Sequence, residues 1–133
     1  MNIILVDTSV WVNFFKGNST RSSLHLKQSL SNTLVATCPT IVQEVLQGVR
    51  LDQDFAKIKS MFDETMQLRE DQYQLSIESA ILYRKLRSVG VTIRKPNDCL
   101  IATYAIKNNL AVLHDDKDFD FIAANSELRI VKP

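Results

Sequence analysis

Residues 3–6, Ile-Ile-Leu-Val, form an unbroken apolar run that stops abruptly at Asp7. A run this short and rich in β-branched side chains reads as a strand buried on both faces, the habit of a central strand in a parallel sheet. A helical pattern follows at once, with Val10, Trp11, Phe14 and Phe15 as its apolar positions. This constrains the rest of the chain, because parallel strands need crossover connections and their sheet needs helices on both faces. It also gives Asp7 an address, since ligands of open α/β sheets bind in the crevice beyond the carboxyl ends of the strands. The stretch alone leaves two readings open: a chemical group, or a cap on the helix entered through Thr8 and Ser9.

The same alternation continues. Lys16-Gly17-Asn18 reads as a helix stop, residues 22–30 as a short helix and residues 33–38 as a second strand. After Pro39, Thr40-Ile41-Val42-Gln43 has the form of a capping box. The helix it opens carries Ile41, Val45 and Val49 on one stripe and Glu44 in its early turns. Residues 51–66 suit an amphipathic helix, 67–69 a short edge strand, and 71–89 the longest helix. In that helix Leu75, Leu82, Leu86 and Val89 share a stripe, Ile81 widens it, and Tyr73 and Tyr83 are expected to pack on or border the core. Gly90 ends it. Arg94-Lys95 form a basic loop, and Pro96-Asn97-Asp98 opens another helix, since proline suits the first turn and an acid suits its dipole. Residues 110–113 are a third clear strand, residues 128–131 a last one, and a short helix lies between them. The prediction is one α/β domain over residues 1–133, with a mostly parallel central sheet of four to five strands flanked by helices.

Composition adds mainly exclusions. The apolar runs fall far short of the ~20 residues that span a bilayer, and the start of the chain has neither a basic segment nor a small-residue cleavage site. A cytoplasmic protein without a membrane role is expected. Cys38 and Cys99 show no metal-site spacing and lie beside apolar residues, as buried inert thiols do. The 16 Lys+Arg and 15 Asp+Glu nearly balance. If four acids belong to one cluster, however, the body around it is mildly basic and suits a polyanionic substrate.

Such a cluster is what the topology implies. Asp7 and the Asp115/Asp116 pair follow buried strands at their carboxyl ends, and Glu44 and Asp98 sit in early turns of helices that such strands feed. All these points lie on one edge of a parallel α/β sheet. Each has a structural alternative: Asp98 as a helix-dipole residue, Glu44 as a solvated face, Asp116 as a cap. Jointly, carboxylates within about 4–6 Å repel, and a divalent cation removes that penalty. Ligation by oxygen alone suits Mg²⁺ or Mn²⁺ rather than zinc. Thr8 and Ser9 hydroxyls are placed to support a metal-bound water. Asp116 is expected to reach the pocket directly and Asp118 to cap a helix or act through water, with Asp115 and Asp120 solvated.

The segments VDTSVW, IVQEVLQG, TIRKPNDCLIATYAI and LAVLHDDKDFDFIA, in this order and spacing, resemble the PIN-domain ribonucleases, especially the VapC toxins of bacterial toxin–antitoxin pairs. The resemblance implies a PIN-like fold and endonucleolytic cleavage of RNA dependent on Mg²⁺ or Mn²⁺. It implies a quartet of Asp7, Glu44, Asp98 and Asp116, with Asp7, Asp98 and Asp116 on the metal and Thr8 or Ser9 supporting a metal-bound water; Asp118, by its position in the turn, is expected behind the ligands with them. It further implies a homodimer and a small cognate antitoxin. Arg94 and Lys95 are then candidate RNA phosphate contacts. His114-Asp115 departs from the family pattern, in which Thr or Ser followed by Asn or Arg is common, and His114 is expected to act as a strand-end hydrogen bonder. Two alternatives are a catalytically weak PIN-fold binding module and a Mg²⁺-dependent phosphatase-like α/β domain. The latter needs a second Asp two residues after the first, where Ser9 stands.

Overall fold

A computed structural model describes residues 2–133. The chain runs β1 (Ile4–Val6), α1 (Thr8–Phe15), α2 (Arg21–Ser31), β2 (Val35–Thr37), α3 (Pro39–Gln47), α4 (Asp52–Asp63), β3 (Met66–Gln67), α5 (Gln72–Ser88), α6 (Pro96–Lys107), β4 (Ala111–Leu113), α7 (Lys117–Ala124) and β5 (Arg129–Ile130). The strands form one five-stranded sheet in the order β3-β2-β1-β4-β5. Every pairing is parallel, so the expected mostly parallel sheet is parallel throughout. β1 is central, with Leu5 opposite Ala36 on one side and Val112 on the other. From β1 the chain moves outward to β2 and β3, then returns to β1's other side with β4. The direction of winding therefore reverses between β1 and β4, where open α/β sheets part to form a binding crevice.

The core is the interior of this sheet and the helix faces laid on it. Leu5, Val6, Val112 and Leu113 are fully buried, as are Val10, Trp11, Ile41, Ile101, Tyr104 and Phe119 from the helices. Trp11 packs against Phe15 and Phe62, joining α1 to α4. α6 is buried almost all round, from Asp98 through Ala105, which marks it as an interior helix between neighbours. Asp98 is carried inward with it.

Local chemistry sets the boundaries. α2 begins with a capping box between Thr20 and Ser23, and α5 begins with Asp71 accepting the Gln74 amide. The capping box expected at Thr40 is not formed. Pro39 occupies the first turn of α3, so the cap position falls two residues before Thr40, on Cys38. A proline without an N–H is well placed there, and Thr40 is already inside the helix. Gly90 (φ +86°) turns the chain after α5.

The α5 stripe is narrower than expected. Leu75 and Leu86 are buried and Leu82 and Tyr83 pack against the core, but Tyr73 is 77% exposed and Ile81 and Val89 are also exposed. Tyr73 lies two residues from Leu75, about 200° round the helix, and Val89 lies past the last helical residue. Cys38 and Cys99 are buried and unpaired. Burial pushes their thiols up to about 12 and about 11, so they are inert at neutral pH. Among the described residues no helix is long and apolar enough to cross a membrane.

Candidate metal centre

Four helices, α1, α3, α6 and α7, begin at or near the carboxyl edge of the sheet, and each carries an acid at its cap or within its first two turns. Asp7 ends β1, where its N–H bonds Leu113 O at 2.9 Å and extends the β1–β4 ladder. Its Oδ2 accepts from Ser9 N (3.1 Å) and Ser9 Oγ (2.6 Å). Asp7 thus caps α1 and belongs to the acid cluster at the same time, so the two readings of this residue are compatible. Asp116 does the same for α7: Oδ1 accepts the Asp118 amide at 3.0 Å, while Oδ2 lies 3.0 Å from Lys95 Nζ.

Three carboxylates, from Asp98, Asp116 and Asp118, offer oxygens that all lie within 4.8 Å of one another. Asp118 Oδ2 and Asp98 Oδ2 are buried and have no hydrogen-bond partner. Buried carboxylate oxygens are costly to leave unpaired. Two of them converging with a third carboxylate are the donor set a hard divalent cation takes. The residues present therefore fit such an ion.

The arrangement differs from the expected one in two respects. Asp118, expected behind the ligands, joins the triplet directly, because Asp116 takes the cap and the first turn of α7 swings Asp118 inward. Asp7 stands outside that triplet but within electrostatic reach of it, its charge acting on Asp98.

The outer members are tied in by hydroxyls and an amide. Thr8 Oγ1 donates to Glu44 Oε1 at 2.8 Å, and Asn97 Nδ2 reaches Glu44 Oε2 at 3.4 Å. Glu44, half-buried, is thus held against α1 and α6 rather than lying on a solvated face. Thr8 and Ser9 spend their protons on Glu44 and Asp7. Ser9 Oγ also accepts the Asp115 amide at 3.0 Å, linking the start of α1 to the β4–α7 turn. Asp115 is exposed, as expected, and accepts from Asn13 Nδ2 at 2.7 Å. Sequence reasoning missed Asn97 and Asn13. Asn97 left only the faint signal of its place beside Asp98, and Asn13 left none.

The electrostatics follow from the crowding. Burial raises the carboxyl of Asp7, the Ser9 hydrogen bonds oppose this, and the charge of Glu44 adds to it. Burial, then the charges of Asp7 and Asp116, push Asp98 up to about 8. Burial also works against Asp116, but the Asp118 amide and the Lys95 ammonium outweigh it and hold its carboxyl below the usual range. Lys95 is raised in turn, chiefly by its bond to Asp116. Arg94 Nε lies 3.7 Å from Asp118 Oδ2. Both basic side chains, the candidate phosphate contacts, rest on the rim of the carboxylates.

A family model described as the PIN domain matches residues 4–125. Among curated proteins, a VapC ribonuclease of Mycobacterium bovis is 33% identical over 129 residues, covering 96% of each chain. Ribonuclease VapC11 of Mycobacterium tuberculosis matches equally well. Among solved structures, a chain of DNA-bound VapBC from Salmonella typhimurium superposes with a TM-score of 0.75 at 17% identity, covering 98% of both chains. A chain of VapBC-1 from nontypeable Haemophilus influenzae gives 0.71 at 18% identity, covering 97% of this chain and 96% of that one. At these identities the structures establish the shared fold.

Proposed function

Because this chain belongs to the PIN-domain family, we propose that it is a metal-dependent endoribonuclease acting as the toxin of a toxin–antitoxin pair. The observation that carries the chemistry is the pair of buried oxygens without hydrogen bonds on Asp98 and Asp118 beside Asp116. These three would hold Mg²⁺ or Mn²⁺. Such an ion supplies charge stabilisation for a phosphodiester undergoing in-line displacement and makes a water more acidic. Asp7, held by Ser9, places a further carboxyl group next to Asp98. Glu44, held by Thr8 and Asn97, faces the same crevice as a further acceptor for a proton or for a water. Asp7, Glu44, Asp98 and Asp116 are the proposed catalytic acids, with Asp118 as a direct ligand. Arg94 and Lys95 on the exposed rim bring positive charge to the path of an incoming RNA backbone.

The relatives' names support ribonuclease activity, and the VapBC complexes among the structural neighbours support a cognate antitoxin. Tyr73, Ile77 and Ile81, exposed at four-residue intervals along α5, give an apolar stripe that supports a homodimer. The proposed setting is the cytoplasm.

The test is to incubate the purified, partner-free protein with total cellular RNA in the presence and absence of Mg²⁺ and to map new 5′ ends. Discrete Mg²⁺-dependent ends are expected. Their absence in protein that is folded and loaded with Mn²⁺ would leave a PIN-fold binding module. Expression alone should arrest growth, and co-expression of the adjoining small gene should relieve it.

A further inference from the structure

His114 closes β4 at the point where the chain turns toward Asp116 and Asp118, and its side chain is only 8% exposed. The ring is fully engaged. Nδ1 lies 3.1 Å from the backbone N of Asp116, Nε2 lies 3.1 Å from Asp120 Oδ1, and the ring plane packs on Phe119 with centroids 5.3 Å apart. A backbone N–H can only donate, so Nδ1 is the acceptor and carries no hydrogen. Nε2 therefore bears the ring's hydrogen and donates it to Asp120. One imidazole thus grips the turn at both ends: at the amide of the residue that caps α7, and at a carboxylate one turn further along the same helix.

We propose that His114 is a positioning residue for the metal centre, fixing the β4–α7 turn through its Nδ1 so that Asp116 and Asp118 face Asp98. The geometry leaves it no direct part in the chemistry, because both ring nitrogens are occupied by the turn. Its task is the one that a Thr or Ser hydroxyl performs in an ST-turn, accepting an amide two residues on. A ring does this with added packing on Phe119 and a second anchor at Asp120. A shift at the Asp116 amide would reach two carboxylates at once. The carboxylate of Asp116 hangs from it, and Asp118 is oriented by that carboxylate in turn. Losing an outer partner of a metal ligand typically costs ~10–100-fold in metal affinity.

The inference rests on reading the three carboxylates as a metal site, so its test measures binding directly, with Mn²⁺ as the probe on the full chain. His114→Phe keeps a ring against Phe119 and removes the acceptor. His114→Asn places an amide oxygen close to where Nδ1 lies and gives up the reach to Asp120. Mn²⁺ affinity is expected to fall ~10-fold or more in the Phe variant and to return to within about threefold of wild type in the Asn variant. The Asp116 amide, followed by hydrogen exchange without metal, should lose protection in the first variant and keep it in the second. Asp120→Asn should leave affinity near wild type.

Wild-type Mn²⁺ affinity in a folded His114→Phe protein would overturn the proposal, and so would an Asn variant as weak as the Phe variant. If His114→Phe does not fold, the Asn variant and the Asp116 amide decide alone. Absence of RNA cleavage with this order of affinities intact would refute the nuclease reading and leave the positioning role standing.

Discussion

Single carboxylates in this crevice serve two masters, and substitutions separate the roles. In Asp7→Asn the amide oxygen can still accept from Ser9, so α1 keeps its cap while the charge beside Asp98 is lost. Cleavage should fall by more than the ~10–100-fold typical of losing an outer partner of a metal ligand, with the melting temperature unchanged or higher. Wild-type turnover in this variant would reduce Asp7 to a cap. The structure also changes the expectation for the last acids. Sequence position favours Asp116 over Asp118, yet Asp118 presents to the same point a buried oxygen without a hydrogen bond, with only Arg94 Nε 3.7 Å away. Asp116→Asn and Asp118→Asn should therefore both lose Mn²⁺ binding, as measured by titration of each variant beside wild type. Asp115→Asn, whose carboxylate is exposed and meets only Asn13, should not.

The site is assembled between secondary-structure elements and inherits their rigidity. Ser9 connects the start of α1 to the β4–α7 turn through Asp7 and the Asp115 amide. Ser9→Ala removes both contacts and should cost about 1–2 kcal/mol of stability together with some metal affinity, with Ser9→Thr restoring part of each. Denaturant titration and Mn²⁺ binding on the two variants check this. On the opposite side of α1, Trp11 is fully buried against Phe15 and Phe62. Trp11→Ala should cost ~3–5 kcal/mol, a large part of the stability of a domain this size, because it opens a cavity where α1 meets α4.

Across the whole molecule, the clustered acids make stability depend on pH and on metal. The ordinary value of Asp98 is 3.8, and in the fold it is pushed up to about 8. The folded state therefore holds this proton where the unfolded chain releases it. Stability from that source is fully present below pH ~4 and is lost as pH rises toward ~8. Asp7 acts in the same direction. Asp116, held below its ordinary value, acts oppositely and only as pH falls through the acid range. In EDTA the melting temperature should thus decline between about pH 4 and pH 8, corresponding to a few kcal/mol. Mg²⁺ should flatten the decline by replacing the proton as the source of positive charge. Asp98→Asn should remove most of the decline, stabilising the metal-free protein at pH 8 while abolishing cleavage. A pH-independent melting curve in EDTA would contradict the crowding of these carboxylates.

Much of this was legible in the sequence because it is local or topological. The apolar run ending at Asp7 implied a central parallel strand, and the alternation of strands and helices implied one sheet edge carrying all the acids. The order of the motif segments pointed to the PIN-domain family that the family model matches over residues 4–125. What the sequence could not supply was the partner of each polar atom. Asp116 and Asp118 are two residues apart with the same chemistry, and only the path of the β4–α7 turn decides which oxygen caps α7 and which is left facing Asp98. Thr40 lost its expected cap to the proline before it, and Arg94 and Lys95 were drawn onto carboxylates brought near by a distant strand. Propensity and periodicity act over a few residues along the chain. Hydrogen-bond partners and shifted carboxyls depend on distances through space, and the return of β4 to the far side of β1 set those distances.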